Sequence, residues 1–185
     1  MGNDVGRLCP VEMSVGLDNR FRRWLQDPVK IIGPYLRGGM EVLEVGCGPG
    51  FFTLDISRMI GDTGKVVAVD LQEGMLQKVR NKIASSDSGK NITLHRCEVD
   101  RLGLSGSFDL VFLYYVVHEI PDKASLFREL STLLKSDGLI YIAEPPIHVS
   151  KNTFELIIRA AEDAGFVIKD RPKRFPDKVV VLGKE

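Results

Sequence analysis

Four groups of residues in this chain have the type and spacing to do chemistry. Glycines stand at alternate positions, Gly46, Gly48 and Gly50, with Glu44 two residues before the first. Asp70 follows the last of them by 20 residues. Further on come Tyr114-Tyr115-Val116-Val117-His118-Glu119 and Glu144-Pro145-Pro146-Ile147-His148. Glycine lets the main chain turn sharply and leaves room for a ligand to approach the backbone. A helix N-terminus behind such a turn favours an anionic group. An acid closing the next strand can take both hydroxyls of a ribose. His, Glu and Tyr side chains are the usual carriers of protons to and from a reacting group.

The elements that must hold these residues alternate in period. Glu41 to Val45 reads as a strand running into the glycines, and Phe52, Ile56 and Met59 form a helix stripe ended by Gly61. Val66 to Val69 is a strand ending at Asp70, and Met75, Leu76, Val79 and Ile83 mark the next helix. Ile92 to Arg96 and Phe108 to Tyr114 are the third and fourth strands. Leu126, Leu130, Leu133 and Leu134 mark a helix closed by an Asp137-Gly138 turn, before an apolar fifth strand over Leu139 to Ala143. Phe154, Ile157, Ile158 and Ala161 define the last helix, stopped by Gly165; Phe166 to Ile168 and Val179 to Leu182 then form an antiparallel hairpin. Ahead of all this, Asp27 caps a helix begun by Pro28, with Val29, Ile32, Tyr35 and Leu36 on one face and Gly38-Gly39 as the stop. Alternating strands and helices argue for an α/β, doubly wound and mostly parallel sheet with helices on both faces.

The spacing of the glycines separates two kinds of cofactor loop. The dinucleotide fingerprint needs a third glycine where Phe51 stands here, and an acid at Glu44 would repel a pyrophosphate. An acid there suits a ligand carrying an ammonium group. The Glu44-x-Gly46-x-Gly48-x-Gly50 arrangement with a downstream Asp70 resembles the class I S-adenosylmethionine-dependent methyltransferases, over about residues 28 to 185. Within them it is similar to the small-molecule branch that includes the ubiquinone/menaquinone-biosynthesis enzymes. The resemblance implies a Rossmann-like sheet of seven strands in order 3-2-1-4-5-7-6, the last antiparallel. It implies S-adenosyl-L-methionine as cofactor and S-adenosyl-L-homocysteine as product.

On that resemblance, Glu44 and the loop from Gly46 through Cys47 and Gly48 to Gly50 would hold the methionine end. Asp70 would take the ribose, Leu71 would pack on the adenine, and Tyr114 would lie along the cofactor site. Glu98 would accept from the adenine amino group beside the Val99 amide, with Glu in place of the family's usual Asp. Cys47 reads as a small residue for a crowded turn rather than a nucleophile. His118 is the first candidate for a general base, with Glu144 and Tyr115 next. The family's clamp for a planar amide or adenine amine is absent, since that position reads Leu113-Tyr114-Tyr115-Val116. This argues against methylation of DNA adenine or protein glutamine and for a small-molecule acceptor.

Composition agrees with a compact cytoplasmic domain. The 185 residues are 44% hydrophobic and 27% charged with zero formal net charge, so nothing global steers the chain to nucleic acid or an anionic membrane. Three cysteines cannot frame a disulfide scaffold, and their spacing supports no shared metal or metalloid site. No apolar run reaches the ~20 residues of a membrane span. Residues 1–27 read as an extension outside a 28–185 domain, with a helix over Leu17 to Gln26 whose Phe21 and Trp24 could serve as a lid. Arg20, Arg22 and Arg23, with Lys169, Arg171, Lys173 and Arg174, read as solvated faces. The leading expectation is a small-molecule methyltransferase. The alternatives are a protein or RNA acceptor, or a non-catalytic cofactor-binding scaffold. Oligomeric state is left open.

Overall fold

Strands β1 (Glu41–Val45) and β2 (Lys65–Asp70) are Val-rich and buried along almost their whole length, as strands covered on both faces are. A computed structural model describes residues 26–86 and 88–185. The helix expected over Leu17 to Gln26, with Phe21, Trp24 and the three arginines, lies outside these but for its last residue. The described strands form one sheet in order β3-β2-β1-β4-β5-β7-β6, as expected. They belong to two compact units, 26–97 and 98–185.

In the first unit, α1 (Pro28–Ile32), α2 (Thr53–Ile60) and α3 (Glu73–Ala84) alternate with β1, β2 and β3 (Ile92–Arg96). The β1·β2 and β2·β3 ladders are parallel, pairing Val45 with Val69 and Asp70 with Arg96. Helices α2 and α3 pack on β2 through Ile56, Ile60, Met75, Leu76 and Val79. Asp27 caps α1 by accepting from the Val29 amide at 3.0 Å. The expected stripe fails beyond that cap, because Val29 is 57% exposed and the buried pair is Ile31 and Ile32. Pro34 lacks the N–H that an α-helix needs, so the chain tightens into a 3₁₀ turn over Gly33–Tyr35 and the four apolar positions never share one face.

In the second unit, β4 (Phe108–Tyr114), α4 (Lys123–Leu133), β5 (Leu134–Glu144), α5 (Lys151–Glu162), β6 (Phe166–Asp170) and β7 (Lys178–Lys184) follow in chain order. The β4·β5 ladder is parallel; the β5·β7 and β6·β7 ladders are antiparallel, as the closing hairpin requires. Phe154, Ile157, Ile158 and Ala161 are buried on α5, as their spacing predicts. The Asp137-Gly138 turn is a correction. Leu134, expected to end the helix, opens β5, and the strand carries Asp137 and Gly138 through a register shift between the Phe108↔Leu134 and Leu110↔Leu139 pairs. The small residue is needed there for close approach, since a Cβ on Gly138 would sit 2.8 Å from a Leu134 methyl carbon and 2.9 Å from the Phe108 carbonyl.

Candidate functional site

The glycine turn follows β1 directly. The Gly46 and Cys47 amides both donate to the Val69 carbonyl, at 2.8 and 2.9 Å, which pins the loop to the end of β2. Gly46, Gly48 and Gly50 have φ of 71°, 53° and 78°, backbone that L side chains rarely adopt. Their surroundings differ. A Cβ on Gly50 would meet Val79 at 3.1 Å, so this glycine lets the loop close on α3; a Cβ on Gly48 would meet nothing within 4 Å. The space over Gly48 is where a ligand can reach the main chain.

Two acids flank this loop. Asp70, 8% exposed, accepts from the Gly48 amide at 2.9 Å and the Gln72 amide at 2.8 Å. Burial holds its carboxyl above the usual range, partly offset by those amides. Glu44, 3% exposed, accepts from the Thr53 hydroxyl at 2.6 Å. Loss of hydration dominates there and pushes its carboxyl up to about 8, against the lowering by Thr53. A buried acid of that kind becomes a good anion when a cation arrives beside it. Cys47 is buried, and desolvation followed by the charges of Glu44 and Asp70 raises its thiol well above the ordinary value. It is held as a thiol.

In the second unit the candidate proton carriers gather at the carboxyl ends of β4 and β5. His118 Nδ1 lies 2.5 Å from Glu144 Oε2, and the His118 amide donates to Glu144 Oε1 at 3.2 Å. Both carboxyl oxygens of the fully buried Glu144 are therefore committed to one histidine. Burial alone would lower the His118 imidazole, but the hydrogen bond and charge of Glu144 outweigh it and the net shift is upward. Because a carboxylate only accepts, the Nδ1 proton is oriented toward Glu144 and Nε2 is left to exchange a proton elsewhere. His148 stacks on His118 with ring centroids 5.9 Å apart.

Tyr114 and Tyr115 are placed differently. The Tyr114 hydroxyl donates to Asp177 Oδ2 at 3.1 Å, and the Tyr115 hydroxyl to Asp177 Oδ1. Burial, then the neighbouring phenol and Asp177, drive the Tyr114 phenol far above its ordinary value, so it stays protonated. Tyr115 has φ of 62°, a conformation rare for a bulky side chain. Its hydroxyl is anchored to the Asp177 carboxylate. Glu98 is mostly exposed and bound by Arg101 at 2.7 Å, whose hydrogen bond and charge lower its carboxyl; Val99 is 58% exposed.

The fold thus joins Glu44, Gly48 and Asp70 in one cradle and His118 with Glu144 in another cluster, while Glu98 stands in an ion pair of its own. Sequence reading missed Thr53 and Asp177. Thr53 lies at the start of α2, nine residues after Glu44, where a hydroxyl facing back over a glycine turn was a readable signal. Asp177 lies 62 residues from Tyr115, and no local pattern joins them. Among the described residues, no group of three or more His, Cys, Asp or Glu side chains could hold a metal ion, and no helix is long and apolar enough to cross a membrane.

A family model described as a methyltransferase domain matches residues 36–172. A demethylmenaquinone methyltransferase of Lactococcus lactis is 31% identical over 125 residues, 65% of this chain and 49% of that protein. A ubiquinone/menaquinone biosynthesis C-methyltransferase of Hahella chejuensis is 29% identical over 155 residues, 83% of this chain and 59% of that protein. The chain thus spans about half the length of the curated relatives it matches. Among solved structures, a SAM-dependent methyltransferase from Aquifex aeolicus superposes with a TM-score of 0.84 at 27% identity, covering 95% of this chain and 98% of that one.

Proposed function

Because this chain belongs to the S-adenosylmethionine-dependent methyltransferases, we propose that it methylates a small hydroxyl-bearing ring compound with His118 as the proton acceptor. The observation that carries this reading is the His118–Glu144 pair at 2.5 Å. When bound, S-adenosylmethionine supplies an electrophilic methyl group on a sulfonium sulfur. The residues of the glycine cradle fit that group: open space over Gly48, and two buried acids with raised carboxyls at either side. Glu44 and the backbone of Gly46 to Gly50 would hold its methionine end, the Glu44 carboxylate facing the ammonium group and Cys47 filling the turn. Asp70 would take the ribose and Leu71 would cover the adenine. Glu98 and Val99 are the remaining assignment for the adenine edge, and Glu98 would have to release Arg101 to serve it.

His118 does the proton work. A ring hydroxyl is a poor nucleophile until it loses its proton, and Nε2 is the nitrogen available to take it. Glu144 steadies the resulting imidazolium through Nδ1 and fixes the ring's orientation, so the hydroxyl proton ends on His118 and electron density rises on the acceptor. Relatives named for demethylmenaquinone and for quinone C-methylation make a hydroquinone the first acceptor to try. We place the reaction in the cytoplasm, in keeping with a chain whose three cysteines cannot frame a disulfide scaffold.

The test is methyl transfer from labelled cofactor to a panel of demethylated quinols, catechols and amines, with wild type and His118→Gln. The expected result is turnover on a quinol or catechol, slowed about 10²–10⁴-fold by His118→Gln with cofactor affinity unchanged. Full turnover by the variant would remove His118 from the chemistry, and turnover confined to amines would overturn the acceptor class.

A further inference from the structure

Two loops of the second unit leave the sheet from the same place. The antiparallel β5·β7 ladder ends at Glu144 opposite Lys178. Three residues beyond Glu144 stands Ile147, and three before Lys178 stands Phe175. They are 87% and 99% exposed, the two most exposed large apolar side chains among the described residues. A chain advances at most ~3.6 Å per residue, so both side chains start within roughly 11 Å of one ladder end. Prolines restrict both loops, Pro145 and Pro146 before Ile147 and Pro176 after Phe175, which lowers the entropy lost when the tips are held against something. Asp177, bonded to Tyr114 and Tyr115, roots the second loop on the end of β4.

The surroundings of Phe175 are basic. Residues 171–178 hold four cations and one carboxylate. Arg171 is engaged by Glu155 at 2.7 Å, and the carboxylate, Asp177, is turned to the tyrosines. Lys173, Arg174 and Lys178 form no ion pair among the described residues. The zero net charge of the whole chain therefore conceals a local cationic rim.

Two isolated apolar tips set among cations match a lipid–water interface better than a protein partner. A protein interface needs a continuous packed patch, whereas a bilayer accepts separate side chains at its headgroup boundary and answers lysine and arginine with lipid charge. A second copy of this chain would bring like charges together. We infer that these two loops dock the protein on an anionic lipid surface, with Ile147 and Phe175 entering the headgroup boundary and Lys173 and Arg174 meeting the lipid phosphates. His118 and Glu144 lie at the same strand ends, so docking holds the proton-transfer pair beside the lipid phase. The dock does not depend on which acceptor is methylated.

The experiment is sedimentation of the full chain with vesicles of phosphatidylcholine alone or with about 30% phosphatidylglycerol, at about 0.05 M and about 0.5 M salt. Cofactor binding and circular dichroism are measured on the same preparations. Expected is binding to the anionic vesicles that weakens on the order of tenfold in pure phosphatidylcholine or high salt. The pairs Ile147→Ser with Phe175→Ser and Lys173→Gln with Arg174→Gln should each cost on the order of tenfold while fold and cofactor affinity are kept. No vesicle binding, or binding that ignores both pairs, would overturn the inference. So would a concentration-dependent dimer that Phe175→Ser dissociates, since the tips would then serve self-association. Cofactor binding that survives these failures leaves the methyltransferase reading standing.

Discussion

Glu44 should be protonated in the free protein at pH 7 and ionised once the cofactor's ammonium group lies against it. Its carboxyl is pushed up to about 8 by burial, so roughly nine-tenths of the free protein carries that proton at pH 7. A cation in contact favours the carboxylate and returns the group toward its ordinary value. Binding should therefore release about 0.9 proton from this residue. The assay is titration calorimetry with S-adenosylmethionine at pH 7 in buffers of different ionisation heat, where the slope of observed enthalpy against buffer heat counts protons. Glu44→Gln should bind more weakly and release about 0.9 proton fewer than wild type. Affinity of the wild type should rise with pH up to about 8 and then level off. Folding carries the same sign. The folded-state value lies above the unfolded one, so the group's contribution is fully present below about 4.5 and is lost as pH rises through about 8. The ligand-free Glu44→Gln variant should thus overtake wild type in stability toward alkaline pH. Tight binding with equal proton release in both proteins would refute the reasoning.

The three loop glycines should not be equivalent. Gly50→Ala combines unfavourable φ with a 3.1 Å contact to Val79 and should lower unfolding free energy by about 2 kcal/mol or more; Gly48→Ala meets no neighbour and should cost only about 1 kcal/mol, yet lose more cofactor affinity. Urea unfolding beside calorimetric titration separates the two effects, and a larger stability loss at Gly48 would contradict the geometry. Asp177→Asn leaves two phenols competing for one neutral oxygen and should destabilise by about 1–3 kcal/mol with cofactor affinity unchanged, read by urea unfolding. An unaltered unfolding midpoint would show that the tyrosine tie contributes nothing.

Much of this protein is written in local pattern. The Val-rich runs at 42–45 and 66–69 needed only composition and neighbouring glycines to be read as buried parallel strands, and Glu44-x-Gly46-x-Gly48-x-Gly50 announced its loop because φ requirements select glycine position by position. The 154–161 stripe and the closing hairpin were legible for the same reason, that periodicity reports which face meets the core. Where Pro34 cut a helix to five residues, the stripe rule lost its footing, and Val29 turned outward. Where β5 needed room beside Phe108, Asp137-Gly138 served a register shift instead of a turn.

The sequence by itself determined most of the described strands and helices, their order and the glycine loop, because those depend on backbone preferences and burial within a few residues. Only the tertiary structure decided that His118 meets Glu144 across 26 positions, that Tyr115 is tied to Asp177, and that Phe175 and Ile147 emerge from one ladder end. Such pairs are set by strand register and loop path. No preference of a single residue encodes them, so they became visible only once the sheet had been assembled.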